Sequence, residues 1–221
     1  MNAVKSENII IIGCIGTAFN IIEQILDAKE KYSLKFHLQG IVIDSFNKGS
    51  LISGVPVIGK TNDIPIFLKD KSIKFLFALY KPERMKERYK LMETYKIPLE
   101  RYANFIHPLS YRSGSLAMGH GNIILSNSTI QSNVVLGNMN IINSNVTIEH
   151  DTTVGDGNFF SANSCIGSKV QIGDHCFVGL NSSVRENIII GNNLFVAMHS
   201  LVLTNYSDCK IAGVPAVKLK N

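Results

Sequence analysis

Every sixth residue from Ile124 to Val202 is hydrophobic: Ile124, Ile130, Leu136, Ile142, Ile148, Val154, Phe160, Ile166, Ile172, Val178, Val184, Ile190, Val196 and Val202. Helices repeat every 3.6 residues and strands every 2, so this register describes neither. The residue after an anchor is often small, as at Gly137, Gly155, Gly167, Gly173, Gly179, Gly191 and Ala197, and the fourth residue after it is often Ser, Thr, Val or Cys. A short strand followed by a turn fits this unit. Three units make one coil of a solenoid with a prism-shaped interior. Residues eighteen apart then stack, which places Ile148, Ile166, Val184 and Val202 on one edge of the prism. Each buried anchor contributes roughly 1.5–3 kcal/mol gross; the anchors hold up the coil and leave chemistry to its turns.

Upstream the pattern is different. Asn8–Ile12 is an apolar run ending at Gly13, followed by Ala18, Ile21, Ile22, Ile25 and Leu26 at helical spacing, which predicts strand, tight turn and helix. Further strands are expected over Phe36–Asp44 and Lys74–Leu79, with a short extended piece ending at Gly54-Val55-Pro56-Val57-Ile58-Gly59. Pro82 opens a charged helix to about Tyr95, proline being well tolerated in a first helical turn. Strands alternating with helices predict a small parallel, Rossmann-like sheet. The change of pattern sets two domains, 1–104 and 105–221. The hexads stop near Tyr206, and the tail after them is not expected to continue the coil.

Composition narrows the class without changing the fold. With 45% hydrophobic and 18% charged residues the chain reads as an ordinary globular protein. The run Ile9–Ile12 is too short for a membrane span or signal-peptide core, so a cytoplasmic location is expected. The basic excess is confined to the first domain, which holds 16 Lys and Arg against 11 Asp and Glu, whereas residues 105–221 hold 6 against 6. Without an Arg-rich helix or a run of like charge, the phosphates of a small ligand are a more economical partner than nucleic acid. Cys14, Cys165, Cys176 and Cys209 show no CxxC spacing and are expected as reduced thiols, with Cys165 and Cys176 as small fillers inside the coil.

Several residues could carry chemistry. Gly13-x-x-Gly16 lies between a strand and a helix, where backbone N–H groups and the helix dipole can receive a phosphate; a plain strand-to-helix turn has the same look. Asp44 ends the second strand, where a carboxylate accepts hydrogen bonds from a ribose or base, or is simply solvated. Ile148-Glu149-His150-Asp151 is a tight acid–His–acid cluster at a coil corner. A carboxylate beside the ring can fix its tautomer and raise its basicity, provided the corner turns the two side chains together; a solvated polar corner accounts for the same residues. His107, His120, His175 and His199 show no metal-ligand spacing, and no metal is expected.

Taken together, strand-Gly13-x-x-Gly16, Ile43-Asp44 followed by Gly54–Gly59, Ile106-His107-Pro108, Ile148–Asp151 and the terminal Gly213-Val214-Pro215-Ala216 make the chain resemble bacterial hexapeptide-repeat sugar acetyltransferases, the sialic acid O-acetyltransferase and bacillosamine-pathway N-acetyltransferase group. The resemblance covers nearly the whole chain. It implies a left-handed parallel β-helix that forms a homotrimer, with acetyl-CoA as co-substrate in the groove between neighbouring coils. His150 matches the general base and Asp151 its acidic helper. Leu180 and Met198 match positions whose backbone holds the pantetheine arm, and Phe159 stands where the family has a histidine close to the thioester. Gly13, Ile15, Gly16, Thr17, Asp44 and Ser45 match residues that grip a nucleotide-linked sugar. The chain departs from the pattern at Thr17, usually His; at Tyr80 and Lys81, usually Gly and Asn; and at Met198 and His199, usually Gly. With Phe159 in place of a donor, a developing oxyanion is left to backbone N–H groups. The implied activity is N-acetylation of an amino sugar, nucleotide-linked in the family's manner; O-acetylation of a sialic acid or other glycan hydroxyl, and a trimeric ligand-binding or scaffold protein without catalysis, are the alternatives.

Overall fold

A computed structural model describes residues 6–13 and 16–219, without the side chain of Thr17. Cys14 and Ile15 thus lie outside the described residues. The chain forms two compact units: one runs up to Tyr80 and resumes over Lys90–Asn104, and the other joins Lys81–Tyr89 to the residues from Phe105 onward.

The first unit is built on β1 (Glu7–Ile12), β2 (Phe36–Val42), β3 (Leu51–Ile52), β4 (Val55–Gly59) and β5 (Ile73–Phe77), in the order β3-β4-β2-β1-β5. β1 pairs in parallel with β2 on one side and β5 on the other, and Ile9–Ile12 are fully buried, as a central parallel strand requires. The helix α1 (Thr17–Tyr32) buries a stripe of Ala18, Ile21, Ile22, Ile25 and Ala28. It stops at Ser33, left-handed at φ 56°, whose N–H caps the Ala28 carbonyl. The extended piece read before Gly59 is the second arm of an antiparallel hairpin, β3 with β4. A short helix α2 (Ile64–Leu68), absent from the sequence reading, precedes β5, because five residues are too few to show a period. The charged segment after Pro82 enters as a 3-10 turn, Pro82–Arg84, before α3 (Met85–Thr94).

The second unit is a three-sided parallel coil. Its first face stacks the strands at Phe105, Ile123, Ile141, Phe159, Phe177 and Phe195; the second those at Tyr111, Thr129, Thr147, Cys165, Ser183 and Leu201; the third those at Ala117, Val135, Thr153, Gln171 and Ile189. All fourteen anchors lie in one buried cluster, none more than 4% exposed. Ile148, Ile166, Val184 and Val202 do pair directly, along a face rather than an edge. Two further expectations need correcting. The coil begins at Phe105, a full turn before Ile124, because Ile106, Arg112 and Met118 hold the register while Arg112 hides it from a hydrophobic count. The tail also extends the coil: Lys210–Ala212 pairs in parallel with Phe195–Val196, and Val217–Lys218 then folds back on it antiparallel.

The turns obey a rule of their own. From Ile124 to Val196 the third residue after each anchor is left-handed, and at Asn127, Asn133, Asn145, Asn163, Asn181, Asn187 and Asn193 it is asparagine, φ 54–61°. Asparagine tolerates this region better than other non-glycine residues. The next residue points inward: Ser128, Val134, Thr152, Ser164, Val170, Cys176 and Ser182 are all buried. Cys176 is a filler as expected, but Cys165 directly precedes its anchor and is exposed. Small residues follow the anchors because the next coil leaves no room. A Cβ on Gly137 would sit 2.2 Å from Asp156 Oδ1 and 2.7 Å from the Gly155 carbonyl oxygen.

Candidate active site

His150 and Asp151 occupy the corner between the second and third faces, in the turn after Ile148. Adjacent side chains on a strand diverge, but Asp151 takes the left-handed turn position, φ 61°, and this swings its carboxylate back to the imidazole. Oδ2 meets His150 Nδ1 at 2.8 Å, while Oδ1 accepts 2.9 Å from the amide of Asn133, the equivalent corner residue one coil below. The bond to His150, and after it the bond to Asn133, holds the Asp151 carboxyl below its ordinary range. Both side chains stay about half exposed, at 50% and 40%. With Nδ1–H given to the carboxylate, Nε2 carries the lone pair available to take a proton. One coil above, the Lys169 N–H donates 3.0 Å to the His150 carbonyl, and Lys169 shares with Asp151, Gln171 and Ile189 a shallow crevice on the third face.

The sequence reading missed Asn133 and Lys169. Both lie at multiples of eighteen from Asp151, so the stacking period already contained them.

A groove of about 590 Å³ opens on the first face near its corner with the second, and Phe159, Leu180 and Met198 all line it. Gly179 and Ala197, each just after an anchor, bring neighbouring coils close there: a Cβ on Gly179 would lie 2.6 Å from the Met198 nitrogen. Among the described residues the N–H groups of Leu180 and Met198 donate no hydrogen bond, which leaves two donors at the groove's edge. Phe159 stacks on Phe177 and Phe177 on Phe195, a ladder of rings eighteen residues apart that the sequence reading also missed. Lys81, Pro82 and Glu83 rim the groove, with Glu83 4.0 Å from Lys210.

In the first unit Gly13 is left-handed, φ 102°, and a Cβ there would lie 2.7 Å from Leu79. Gly16 precedes α1 at φ 62°, with no side-chain cap on the helix. Asp44 and Ser45 are exposed beyond the end of β2. The Asp44 carboxylate accepts from the Thr61 N–H at 2.9 Å and from its hydroxyl at 2.9 and 3.0 Å, so it pins the following turn as well as facing solvent. Tyr80 sits edge-on to Phe77 at 5.6 Å, its hydroxyl pushed strongly up by burial.

The other histidines serve different ends. His107 is buried and accepts from the Leu109 N–H, His199 meets Asn181 at 3.2 Å, and His175 packs edge-on against Tyr89 at 4.8 Å. Among the described residues no three His, Cys, Asp or Glu side chains cluster as metal ligands, and no helix is long and apolar enough to cross a membrane. Burial pushes the Cys176 thiol up to about 12 and raises that of Cys165 as well.

Neither a scan against protein-family models nor a search of curated proteins returns a match. Solved structures do match. The chain is similar to a His-to-Ala variant of GDP-perosamine N-acetyltransferase from Caulobacter crescentus, solved with CoA and GDP-perosamine: TM-score 0.84, 23% identity, covering 99% of this chain and 100% of that one. It is also similar to the acetyltransferase domain of PglB from Neisseria gonorrhoeae, solved with acetyl coenzyme A, at TM-score 0.81 and 21% identity over 97% and 100% of the two chains. WeeI from Acinetobacter baumannii follows at TM-score 0.78 and 18% identity, over 96% and 100%. These likenesses establish the fold along the whole chain: a small α/β unit followed by a left-handed, hexapeptide-repeat β-helix.

Proposed function

We propose that the protein is an acyl-CoA-dependent sugar acetyltransferase that transfers an acetyl group from acetyl-CoA to the amine of an amino sugar, nucleotide-linked, with His150 as general base. The observation that carries this reading is the 2.8 Å bond between His150 Nδ1 and Asp151 Oδ2 on an open corner of the coil. Further support comes from the solved structures of the same fold, named as N-acetyltransferases or acetyltransferase domains and holding CoA, acetyl coenzyme A or GDP-perosamine.

The amine attacks the thioester carbonyl while Nε2 of His150 takes its proton. Asp151 orients the ring and offsets the charge that develops on it. The C–S bond then breaks and CoA leaves as the thiolate, which is protonated to the thiol. No acyl-enzyme is needed, since a thioester is already activated and a neutral amine is a good nucleophile. Cys176 fits that economy, because burial makes it a poorer thiolate than a free thiol. Phe159 offers the acetyl oxygen no donor, so the oxyanion falls to backbone N–H groups, while those of Leu180 and Met198 are left for the pantetheine arm.

The groove and the base lie on different corners of one prism, so we assign the complete site to two copies: the groove of one and His150 of its neighbour in a homotrimer. In the first unit Gly13, Ile15, Gly16, Thr17, Asp44 and Ser45 are assigned to the nucleotide-sugar. The assay is thiol release from acetyl-CoA with nucleotide-linked amino sugars, run beside free sialic acids. Release with the amino sugars supports N-acetylation, release with sialic acids alone replaces it by O-acetylation, and failure to bind acetyl-CoA removes the enzyme reading.

A further inference from the structure

Among the left-handed residues three places after an anchor, five are neither asparagine nor glycine: Met139, Asp151, Lys169, His175 and His199. A side chain with a Cβ is strained in that conformation, and such strain persists where something else depends on the residue. Four of the five have a visible reason. Met139 is buried, Asp151 holds His150, His175 packs on Tyr89 and His199 meets Asn181. Lys169 is exposed, and among the described residues its ammonium has neither a hydrogen bond nor an ion pair.

Lys169 lines a crevice of about 470 Å³ on the third face that begins at Asp151, the residue bonded to the proposed base. Thr153, Gln171 and Ile189 line it as direct neighbours on three successive strands. Each precedes a buried anchor, so each points outward. Strands about 4.8 Å apart give this column the span of a sugar ring. Its polar groups are unbalanced. Lys169 brings three N–H donors, Gln171 two and Thr153 one, and among the described residues none of these side chains is engaged. The acid in the lining, Asp151, already meets His150 with one oxygen at 2.8 Å and accepts from Asn133 with the other at 2.9 Å. Donors in excess of acceptors are matched by an anion rather than by neutral hydroxyls, and a single cation matches a single charge.

We propose that this crevice receives a carboxylate of the acceptor, so that the substrate is an acidic amino sugar whose carboxylate meets Lys169 while its amine meets His150. This rests on the sugar acetyltransferase reading above and names its acceptor class. On that reading the phosphates of a nucleotide-linked sugar go to the turn at Gly13 and Gly16, which leaves the sugar's own carboxylate for Lys169. The transfer is unchanged: the amine nitrogen bonds to the thioester carbon, the C–S bond breaks, the amine proton goes to Nε2 of His150 and CoA leaves as the thiolate.

The test compares matched acceptors on the full chain by thiol release from acetyl-CoA: UDP- and GDP-linked 4-amino hexoses, each beside its counterpart with a carboxylate at C6. Hydrogen bonds to a charged group should favour the acid by about ten- to a hundred-fold in kcat/KM. Lys169→Asn, which restores the usual turn residue and so preserves the fold, should bring that ratio toward one, through KM more than kcat; Lys169→Arg should keep it. Equal or better use of the neutral sugars overturns the proposal and leaves amino-sugar acetylation standing. A ratio unchanged in Lys169→Asn overturns Lys169 as the carboxylate's partner. Loss by one common factor on acidic and neutral sugars assigns the cation to the diphosphate and overturns the carboxylate. Release with no acceptor, while acetyl-CoA still binds, overturns the proposal together with the amino-sugar acceptor; failure to bind acetyl-CoA removes the enzyme reading itself.

Discussion

His150 and His175 lie on successive coils, one residue apart in the six-residue register, and have opposite surroundings. His150 is the second residue after its anchor and precedes the left-handed position; its ring leaves the coil and meets the Asp151 carboxylate. His175 is itself the left-handed residue, φ 59°, and its ring packs on Tyr89, whose hydroxyl in turn donates 3.2 Å to Asp156. The ring of a turn histidine thus meets a carboxylate or packs on a neighbouring ring according to which side of the left-handed residue it occupies. Composition and proximity to acids do not separate the two: Asp156 and Asp174 flank the corner at His175 as Asp151 and Glu149 flank His150.

Substitution should split the pair cleanly. His150→Ala is expected to lower kcat by about 10²–10⁴-fold with little change in CoA affinity, measured by thiol release and calorimetry. His175→Ala should instead lower stability by about 1–2 kcal/mol in denaturant unfolding, through lost ring packing, and leave turnover near that of the unaltered protein. Equal kinetic losses in the two variants would dissolve the distinction. Removing an anchor, Ile166→Ala, is expected to cost about 2–5 kcal/mol, more than either corner, because it empties a fully buried site.

Smaller effects sharpen the corner itself. Lys169 is left-handed at φ 57° where most equivalent turns have asparagine. Lys169→Asn should therefore raise stability by up to about 1 kcal/mol, seen as a higher melting temperature. Smallest of all is the acid response of Asp151, whose carboxyl lies below its ordinary 3.8 through its bonds to His150 and Asn133. Its contribution is complete above that pH and is lost as pH falls through the depressed value. Asp151→Asn should flatten this part of the stability–pH curve.

How much of this was legible follows from what kind of signal each feature leaves. The anchors reveal themselves because burial on a fixed period has no other origin, and all fourteen are in the core. The coil's first turn was missed because Arg112 occupies an anchor position without being hydrophobic. Its last strand was missed because Val196 pairs with Ile211, fifteen residues on, and the register breaks there. Cys165 was placed inside by residue type, when its position just before an anchor turns it outward. At the candidate site the acid–His pair was readable as a motif, but its closure depended on a left-handed backbone at Asp151. The asparagines at equivalent turns could have signalled that conformation. The phenylalanine ladder was equally present as Phe at intervals of eighteen, yet it looked like ordinary apolar content until the strands were stacked.

If the groove of one copy works with His150 of another, two inactive variants should complement each other. His150→Ala lacks the base, and Ala162→Trp obstructs the groove; each alone should be nearly inactive. Co-expressed with separate affinity tags and purified through both, the mixed oligomers should regain a substantial share of the normal thiol-release rate, because one interface then pairs an intact groove with an intact base. Mixed oligomers as inactive as their parents would contradict a site shared between copies.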